Sequence, residues 1–473
     1  MKKELLTLLA LITISYSSAE VTLPPLFSDN MILQQQTLAP IWGTTSKKGA
    51  TLKIKTSWNN QTTTCNSDSD GNWKAVLETP SYGGPYTITI NDGDIKEVNN
   101  VLIGEVWIAS GQSNMEMEMS GFNGQHVEYS NIDIACSTDN QLRIMDVERA
   151  VSATPLSTIT SAGWGEACPE VVAPLSATAY HFARILRASL KIPVGILVST
   201  WGGTSINSWV CPEDANSYQD VKDRTRKSSP RSQHYPGGLY NGMICPIAGY
   251  AAKGFIWYQG ESDRMRYDTY GKKLQDMATK WRKDWDNEQM PFYFAQIAPF
   301  EYAGKDKADT LAPYMREAMV EAVNIIPNSD VIILSDAGLR NCIHPSNKRA
   351  VGERFAYKAL VKTYNTKGIV ADAPTYKSKE TKDNTIILTF DNADTGLTSF
   401  GSPLTDFEVA GADGKYYPAT AKTRGNTIIL SSKEVANPIN ARYGFKNWFQ
   451  GSLFNIGGIP ASSFRTDKPE FNL

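Results

Sequence analysis

The chain contains 473 residues, 41% of them hydrophobic and 20% charged, a balance typical of ordered globular proteins rather than of disordered ones. This length accommodates roughly two to four domains of about 150 residues each. The formal net charge is −2 and no long run of Lys and Arg occurs, so the sequence has no basic footprint for a nucleic-acid partner.

The first segment is typical of an export signal. Lys2 and Lys3 precede an apolar run at residues 5–14, and small residues at 17–19 offer a cleavage site. The run is shorter than the roughly 20 apolar residues of a membrane span, and no later stretch is long enough. We therefore expect residues 1–19 to be a signal peptide and the mature chain to be exported, to the periplasm or the extracellular space, with no membrane span. The six cysteines match no zinc pattern, and they permit disulfides whose pairing the sequence does not specify; scattered thiols are the alternative.

The segment from residue 20 to residue 98 is predicted to form a β-sandwich-like domain. Residues 50–56 alternate apolar and polar side chains with a period of two, and the alternation resumes at residues 73–77 after a Ser/Asp/Gly turn. A third strand is predicted at residues 86–90, between a Gly-Gly-Pro turn and an Asn-Asp-Gly turn. Short strands separated by such turns are typical of sandwiches.

From residue 99 to residue 371 apolar strands alternate with helical stretches. This alternation predicts an α/β fold in which crossover helices cover a doubly wound parallel sheet. Helical spacing of apolar residues occurs at residues 177–190, 267–285, 313–326 and 346–364. Ser346 is expected to cap the last of these helices. Residues 211–240 show no strong period and are expected to form a long loop that walls a substrate cleft.

Beyond residue 372 the strand pattern returns. Residues 385–390 and 427–430 are predicted strands. A second β-sandwich-like domain is therefore expected over residues 372–473, which is about the usual size for that architecture.

A serine follows the first strand of the α/β region. The apolar strand at residues 102–109 runs directly into Ser-Gly-Gln-Ser-Asn at residues 110–114, which places Ser113 on a turn at the strand's carboxyl end. Ligands bind at such strand ends in open α/β sheets, and a serine there is a candidate nucleophile if a base lies within hydrogen-bonding distance. On this turn alone, capping the next helix is the more common role of a serine.

Three further strand ends carry polar turns. They are Ser-Thr-Trp-Gly-Gly-Thr-Ser at residues 199–205, Gln-Gly-Glu-Ser at residues 259–262, and Asn-Cys-Ile-His-Pro at residues 341–345. An ester carbonyl needs a nucleophile, a base and donors for the oxyanion. Gly203 permits close approach of the backbone to a ligand, and the Gln259 amide can donate to a developing negative charge. An ordinary loop glycine and a surface glutamine are the alternatives at these two positions.

His344 is the candidate base. The chain has four histidines, and a pKa of about 6.5 suits general-base chemistry at neutral pH. His181 falls in a predicted helix and is interpreted as structural, whereas His126 and His234 lie in polar stretches and are interpreted as solvated. His344 lies in a loop between a predicted strand and a predicted helix.

These four segments together resemble the sialate O-acetylesterase branch of the SGNH (GDSL-like) hydrolases. The resemblance covers almost the whole chain, from residues 27–35 to residues 458–467. It is specific because Ser-Gly-Gln-Ser-Asn-Met and Trp-Tyr-Gln-Gly-Glu occur together. The resemblance implies an SGNH-type doubly wound α/β/α sandwich with a parallel sheet, flanked by the two β-sandwich-like domains.

The resemblance also implies roles for particular residues. Ser113 would be the nucleophile and its backbone N–H one oxyanion donor. Gly203 and Gln259 would supply the other two donors, and His344, in the matching Ile-His-Pro segment, would be the base. Glu261 would orient Gln259 or bind sugar hydroxyls.

One position departs from the family pattern. SGNH hydrolases commonly carry an Asp three residues before the catalytic His, and this chain has Asn341 there. Asn341 would orient the imidazole through its amide oxygen, as an Asn does in some nucleophile–His pairs. The alternatives are a backbone carbonyl, Asp336, or a Ser–His dyad.

The sequence therefore predicts an exported esterase that removes O-acetyl groups from sialic acids through an acetyl-serine intermediate, with no metal or organic cofactor. An esterase for acetylated xylan or another polysaccharide is the first alternative. A non-catalytic glycan-binding protein and a structural surface protein are alternatives from other classes, but neither needs a nucleophile and a base at separate strand ends. Trp201, Trp257 and Tyr258 would stack on a sugar or belong to the core.

Overall fold

The computed structural model describes residues 21–223, 229–302 and 310–468. The predicted signal peptide lies outside these residues. The strands, in chain order, are β1 (Val21–Thr22), β2 (Ile32–Gln34), β3 (Thr37–Thr45), β4 (Thr51–Thr56), β5 (Thr62–Asn66), β6 (Asn72–Thr79), β7 (Gly83–Asn91), β8 (Ile95–Gly111), β9 (Asp139–Asp146), β10 (Gly165–Ala167), β11 (Val194–Thr200), β12 (Gly254–Tyr258), β13 (Phe292–Ala295), β14 (Ser329–Ile332), β15 (Thr375–Lys382), β16 (Thr385–Asp391), β17 (Leu397–Thr398), β18 (Phe407–Ala410), β19 (Tyr416–Pro418), β20 (Thr420–Arg424), β21 (Thr427–Ser431), β22 (Asn440–Tyr443), β23 (Phe454–Asn455) and β24 (Phe464–Arg465). The α-helices are α1 (Ser113–Glu116), α2 (Ser130–Ala135), α3 (Pro169–Val172), α4 (Ala177–Leu190), α5 (Pro212–Ser217), α6 (Gln219–Lys222), α7 (Tyr267–Asp284), α8 (Ala312–Ala322) and α9 (Lys348–Lys358).

The N-terminal region is built from strands, as the period-two pattern predicts, and they pair antiparallel except for β2, which pairs in parallel with β8. In β4, Leu52, Ile54 and Thr56 are buried while the residues between them are exposed. Strand β8 is 17 residues long: its first half pairs with β7, and its second half enters the central sheet. Burial along β8 changes from partial to continuous at Val101, because the second half has both faces covered. The domain boundary expected at residue 98 stays a prediction, and that position lies inside β8.

The central sheet has the strand order β10-β9-β11-β8-β12-β13-β14. All neighbours on this path pair in parallel except β10 with β9. Helices α4 and α9 cover one face, and α7 and α8 cover the other, so that alternate residues of β8 enter two separate cores. The α/β class is thereby confirmed, and the sheet as a whole is mixed, because β7 also pairs antiparallel with β8. The chain leaves β8 toward one edge and later returns to its other side, which makes the end of β8 the topological switch point, where α/β sheets bind ligands.

The predicted helices are found with shifts at their ends. The helix predicted at residues 177–190 is α4, and both of its ends agree with the prediction. Helix α9 begins later than predicted because Asn347, rather than Ser346, caps it by accepting from the Ala350 N–H. The hydroxyl of Ser346 donates instead to Glu128. The region predicted as a long loop holds α5 and α6.

The C-terminal region contains two four-stranded antiparallel sheets, β15-β16-β21-β20 and β19-β18-β22-β24, which share one apolar core, and the short antiparallel pair β17-β23. It is held against the α/β region by Arg316 of α8, which is fully buried and donates to Ser463 Oγ at 3.0 Å and to the Lys446 carbonyl at 2.5 Å. All six cysteines lie in the described part of the chain and are free thiols. In that part, no helix combines the length and the hydropathy that crossing a membrane requires.

Candidate active site

The turn after β8 presents Ser113 at the switch point. Gly111 has φ +146°, and a Cβ there would lie 2.1 Å from the Tyr258 carbonyl oxygen, so only glycine fits between β8 and β12. Gln112 occupies the cap position of α1, and Ser113 is the first helical residue with a half-buried side chain. Ser113 therefore does not cap the helix. Its N–H belongs to the first turn, where no intrahelical acceptor exists.

The glycine pair after β11 lies against this turn. A Cβ on Gly202 would lie 3.2 Å from Ser113 Cβ and 2.5 Å from Glu116 Oε2, and the Gly202 N–H donates to that oxygen at 2.8 Å. Gly203 is exposed and has φ +72°. Among the described residues, none accepts a hydrogen bond from the Gly203 N–H. The second glycine, rather than the first, is thus open to a ligand oxygen.

Asn114 joins the serine turn to the histidine loop. Its Nδ2 donates to Glu261 Oε1 at 2.6 Å and to the Ile343 carbonyl at 3.0 Å, and its Oδ1 accepts from Lys348 Nζ at 2.5 Å. Asn114, Glu261 and Lys348 are all buried. We call Asn114, Glu261, Ile343 and Lys348 the Asn114 junction. It connects residues that adjoin Ser113 and His344 through a single side chain.

The junction buries two groups of opposite charge. Burial raises the pKa of Glu261, and it lowers the pKa of Lys348 to about 7. Glu261 was expected to orient Gln259 or to bind sugar hydroxyls. Its carboxylate instead accepts a hydrogen bond from Asn114. The residue is only 3% exposed, so it is too deeply buried to contact a sugar.

Gln259 lies fully buried at the end of β12. Its Nε2 donates to the Thr204 carbonyl at 3.1 Å and to Asp263 Oδ2 at 2.6 Å, and its Oε1 accepts from Tyr270 at 3.0 Å. Both amide hydrogens therefore have acceptors within the protein. The expectation that Gln259 offers a free N–H to an oxyanion is not met by this geometry, because the amide ties the turn after β11 to the turn after β12.

The His344 imidazole is hydrogen-bonded through Nδ1 to Gln125 Oε1 at 2.7 Å. The ring of Phe122 packs edge-on against it, with ring centroids 5.3 Å apart. Asn341, expected to orient the ring, is exposed, and Asp336 is paired with Arg354. Burial, helped by the charge of Lys348, lowers the pKa of His344 to about 4.

The other histidines lie as expected from sequence. His181 in α4 is fully buried, with Nε2 at 3.8 Å from Asp133, and burial lowers its pKa to about 3. His126 and His234 are exposed. Of the four, His344 is the one that lies half-buried beside the serine turn.

The aromatic residues near the motifs divide between the core and the surface. Trp257 and Tyr258 are fully buried and belong to the two cores. Trp201 is partly exposed, with the Arg149 guanidinium 5.9 Å from its ring centroid. Of the three, only Trp201 can meet a sugar.

A cavity of about 310 Å³ opens beside the serine turn. Its charged lining, which we call the acidic cleft, consists of Glu116, Glu118, Asp146, Glu148 and Arg149. Arg149 approaches Glu116 at 2.5 Å, so the cleft keeps a clear excess of negative charge.

The sequence interpretation missed Gln125, Asn114 and Lys348. Asn114 was within reach, because it belongs to the Ser-Gly-Gln-Ser-Asn motif and directly follows Ser113. Gln125 and Lys348 carry no sequence signal: one lies in a polar loop and the other in an ordinary helical pattern. Only the folded chain brings them to His344 and Asn114.

Comparison with known proteins agrees with an esterase site. Residues 103–361, more than half of the chain, match the family model described as carbohydrate esterase, sialic acid-specific acetylesterase. A carbohydrate acetylesterase from Xanthomonas citri, known from its crystal structure, is 32% identical with a TM-score of 0.85, over 95% of this chain and 100% of that one. The sialate O-acetylesterase of Homo sapiens is 26% identical over 73% of this chain and 72% of its own length, and that of Mus musculus is 25% identical over 89% of each.

Proposed function

Because this chain belongs to the sialic acid-specific acetylesterase family of carbohydrate esterases and is a carboxylic ester hydrolase, we propose that it removes O-acetyl groups from sialic acids through an acetyl-Ser113 intermediate. The Asn114 junction is the observation that carries the mechanism. It ties the turn of Ser113 to the loop of His344 through the Asn114 side chain, which donates to the Ile343 carbonyl at 3.0 Å and accepts from Lys348 Nζ at 2.5 Å. Acyl transfer needs a nucleophile and a base close together. This junction brings together the segments of two candidates that are far apart in the sequence.

The proposed reaction starts with attack of Ser113 Oγ on the acetyl carbonyl while His344 Nε2 takes the hydroxyl proton. The N–H groups of Ser113 and Gly203 hold the oxyanion. The sugar hydroxyl leaves with the proton from His344. Water then attacks the acetyl-serine, His344 takes its proton, and acetate leaves as Ser113 is restored.

The low pKa of His344 keeps the imidazole neutral over a wide pH range, and it also makes the ring a weaker base than a histidine of ordinary pKa. A base must be neutral to accept a proton, and a group with a pKa of about 4 is neutral at all higher pH values. We therefore expect kcat/KM to fall only when the pH drops toward 4.

Acetylated neutral polysaccharide is a second candidate substrate, and the acidic cleft favours it. A sialic acid carries a carboxylate, which the excess negative charge of the cleft would repel. Neutral sugar hydroxyls can donate hydrogen bonds to the same carboxylates. The similarity to a carbohydrate acetylesterase supports this candidate as well.

Acetate release separates the two substrates. The purified enzyme would be given O-acetylated sialic acid and acetylated xylan in parallel, with Ser113→Ala as the control. Faster release from the sialic acid supports the first candidate, and faster release from xylan supports the second. Mass spectrometry of an acid-quenched reaction should find acetyl on the peptide that contains Ser113, and release from neither sugar would contradict both proposals.

Export remains part of the proposal, on the strength of residues 1–19. Fractionation of cells that express the full chain tests it. We expect a mature protein that starts near Glu20 in the exported fraction, and a full-length protein confined to the cytosol would contradict export.

A further inference from the structure

We propose that Gln125 is the positioning residue of the catalytic histidine, occupying the place that a carboxylate has in a Ser–His–Asp triad. This inference rests on the proposed role of His344 as the base. Gln125 would fix the imidazole as the Nδ1–H tautomer and so leave the Nε2 lone pair free to accept a proton. Nothing in the sequence pattern assigns Gln125 this role.

The loop that carries Gln125 is closed on itself. Phe122 and Gln125 exchange both of their backbone hydrogen bonds, each at 2.9 Å. Gly121, at φ +86°, packs so tightly under this turn that a Cβ would lie 2.3 Å from the Gln125 carbonyl oxygen. The turn therefore fixes the backbone from which the Gln125 side chain and the Phe122 ring project. Both contact His344, one by a hydrogen bond and one by ring packing.

The chemistry of the amide selects the tautomer. An amide oxygen only accepts hydrogen bonds, so the Nδ1 that faces Gln125 Oε1 at 2.7 Å must carry a hydrogen. The Cys342 thiol points at the same oxygen from 3.5 Å, which is consistent with an acceptor at that position. With Nδ1 protonated, the neutral ring has its lone pair on Nε2, which is the form a general base requires.

The amide differs from a carboxylate in its charge. A carboxylate beside the ring would stabilise the imidazolium that forms during the reaction, and a neutral amide does so more weakly. The other groups near the ring do not compensate: Lys348 from α9 opposes the imidazolium, and Glu261 is already engaged with Asn114. Gln125 therefore orients the base without raising its pKa.

Two substitutions at position 125 test the inference. Gln125→Leu keeps the size but removes the acceptor, so kcat should fall about tenfold or more while KM changes little. Gln125→Glu, unlike the leucine variant, keeps an acceptor beside Nδ1 and adds a negative charge, so kcat should be largely retained. In that variant the acid limb of kcat/KM should move up by about 1–3 pH units, because an adjacent negative charge raises the pKa of the imidazole. Asn123→Ala, an exposed residue of the same loop, is the matched control and should leave both quantities unchanged.

The tautomer can also be read directly. In protein labelled with ¹⁵N-histidine, with the His344 signal assigned by its loss in His344→Ala, we expect the hydrogen on Nδ1. This measurement stands even if Gln125→Leu fails to fold. A hydrogen on Nε2, or an acid limb in Gln125→Glu that matches the wild type, would overturn the inference. Acetate release by the wild-type enzyme tests the proposed function separately. If the wild type releases acetate, the function stands even when the inference about Gln125 fails; if it releases none, the function itself is refuted.

Discussion

The two halves of the candidate site are held in different ways. The serine side, residues 110–116 and 202–203, lies at the ends of neighbouring parallel strands, where Ser110 pairs in register with Ser199 of β11 and Trp257 of β12. The histidine side consists of two loops, one carrying Phe122 and Gln125 and the other carrying residues 341–344, that meet through a side-chain hydrogen bond between residues 219 positions apart. Backbone register thus places the nucleophile, whereas single side-chain contacts place the base. Substitutions should therefore have different effects on the two sides.

The largest effect is expected on the serine side, from Ser113→Ala. Removing a nucleophile that acts as part of a unit typically lowers kcat by ~10⁴-fold or more. The fold should be retained, because Ser113 starts a four-residue helix and does not cap it. Hydrolysis of p-nitrophenyl acetate and circular dichroism check both points. A folded variant with near-normal turnover would show that another residue is the nucleophile.

On the histidine side, His344→Ala should be nearly as damaging, and the double variant with Ser113→Ala should be little worse than either single one, since residues of one unit are strongly non-additive. His181→Ala is the matched control. His181 is fully buried in α4, so its loss should lower the melting temperature rather than kcat. If His181→Ala loses activity while His344→Ala keeps it, the base has been assigned to the wrong side.

A smaller effect is expected from Gln259→Leu. Gln259 follows β12 and links it to the turn after β11 on the serine side. The substitution removes the buried hydrogen bonds to the Thr204 carbonyl and to Asp263 Oδ2, although Asp263 Oδ2 keeps the Ile206 N–H as a donor, and this should cost about 1–3 kcal/mol of unfolding free energy. The loss in kcat should stay below the about 10²–10³-fold typical of a direct oxyanion donor. Denaturant unfolding and steady-state kinetics separate the two. A kcat loss in that range at unchanged stability would mean that Gln259 turns toward the substrate during the reaction.

The smallest effect is expected at Asn341. Because Gln125 holds the His344 ring and Asn341 is exposed, both Asn341→Ala and Asn341→Asp should leave kcat within about twofold and the pH profile unchanged. Steady-state kinetics from pH 4 to pH 8 test this. A clear loss of kcat in folded Asn341→Ala would show that the histidine side rearranges in solution and that Asn341 orients the base.

The outcome of the sequence predictions follows the same division. The strand at residues 102–109 and the helix at residues 177–190 are found because their apolar pattern is local and their burial is set by the sheet. The capping residue of α9 was assigned one position too early, because Ser346 bonds to Glu128 from a distant loop. Local patterns cannot include such a competitor for a capping side chain.

The sequence by itself determined the family, the α/β class, the turn that carries Ser113 and the loop that carries His344. These follow from hydrophobic periodicity and from contiguous motifs, which are properties of neighbouring residues. The tertiary structure alone decided that Gln125 contacts the base, that Asn114 joins the two sides, and that the Gln259 amide is already satisfied. Each of these depends on which polar partner lies within hydrogen-bonding distance after folding. That distance is set by how the loops pack and leaves no period in the sequence.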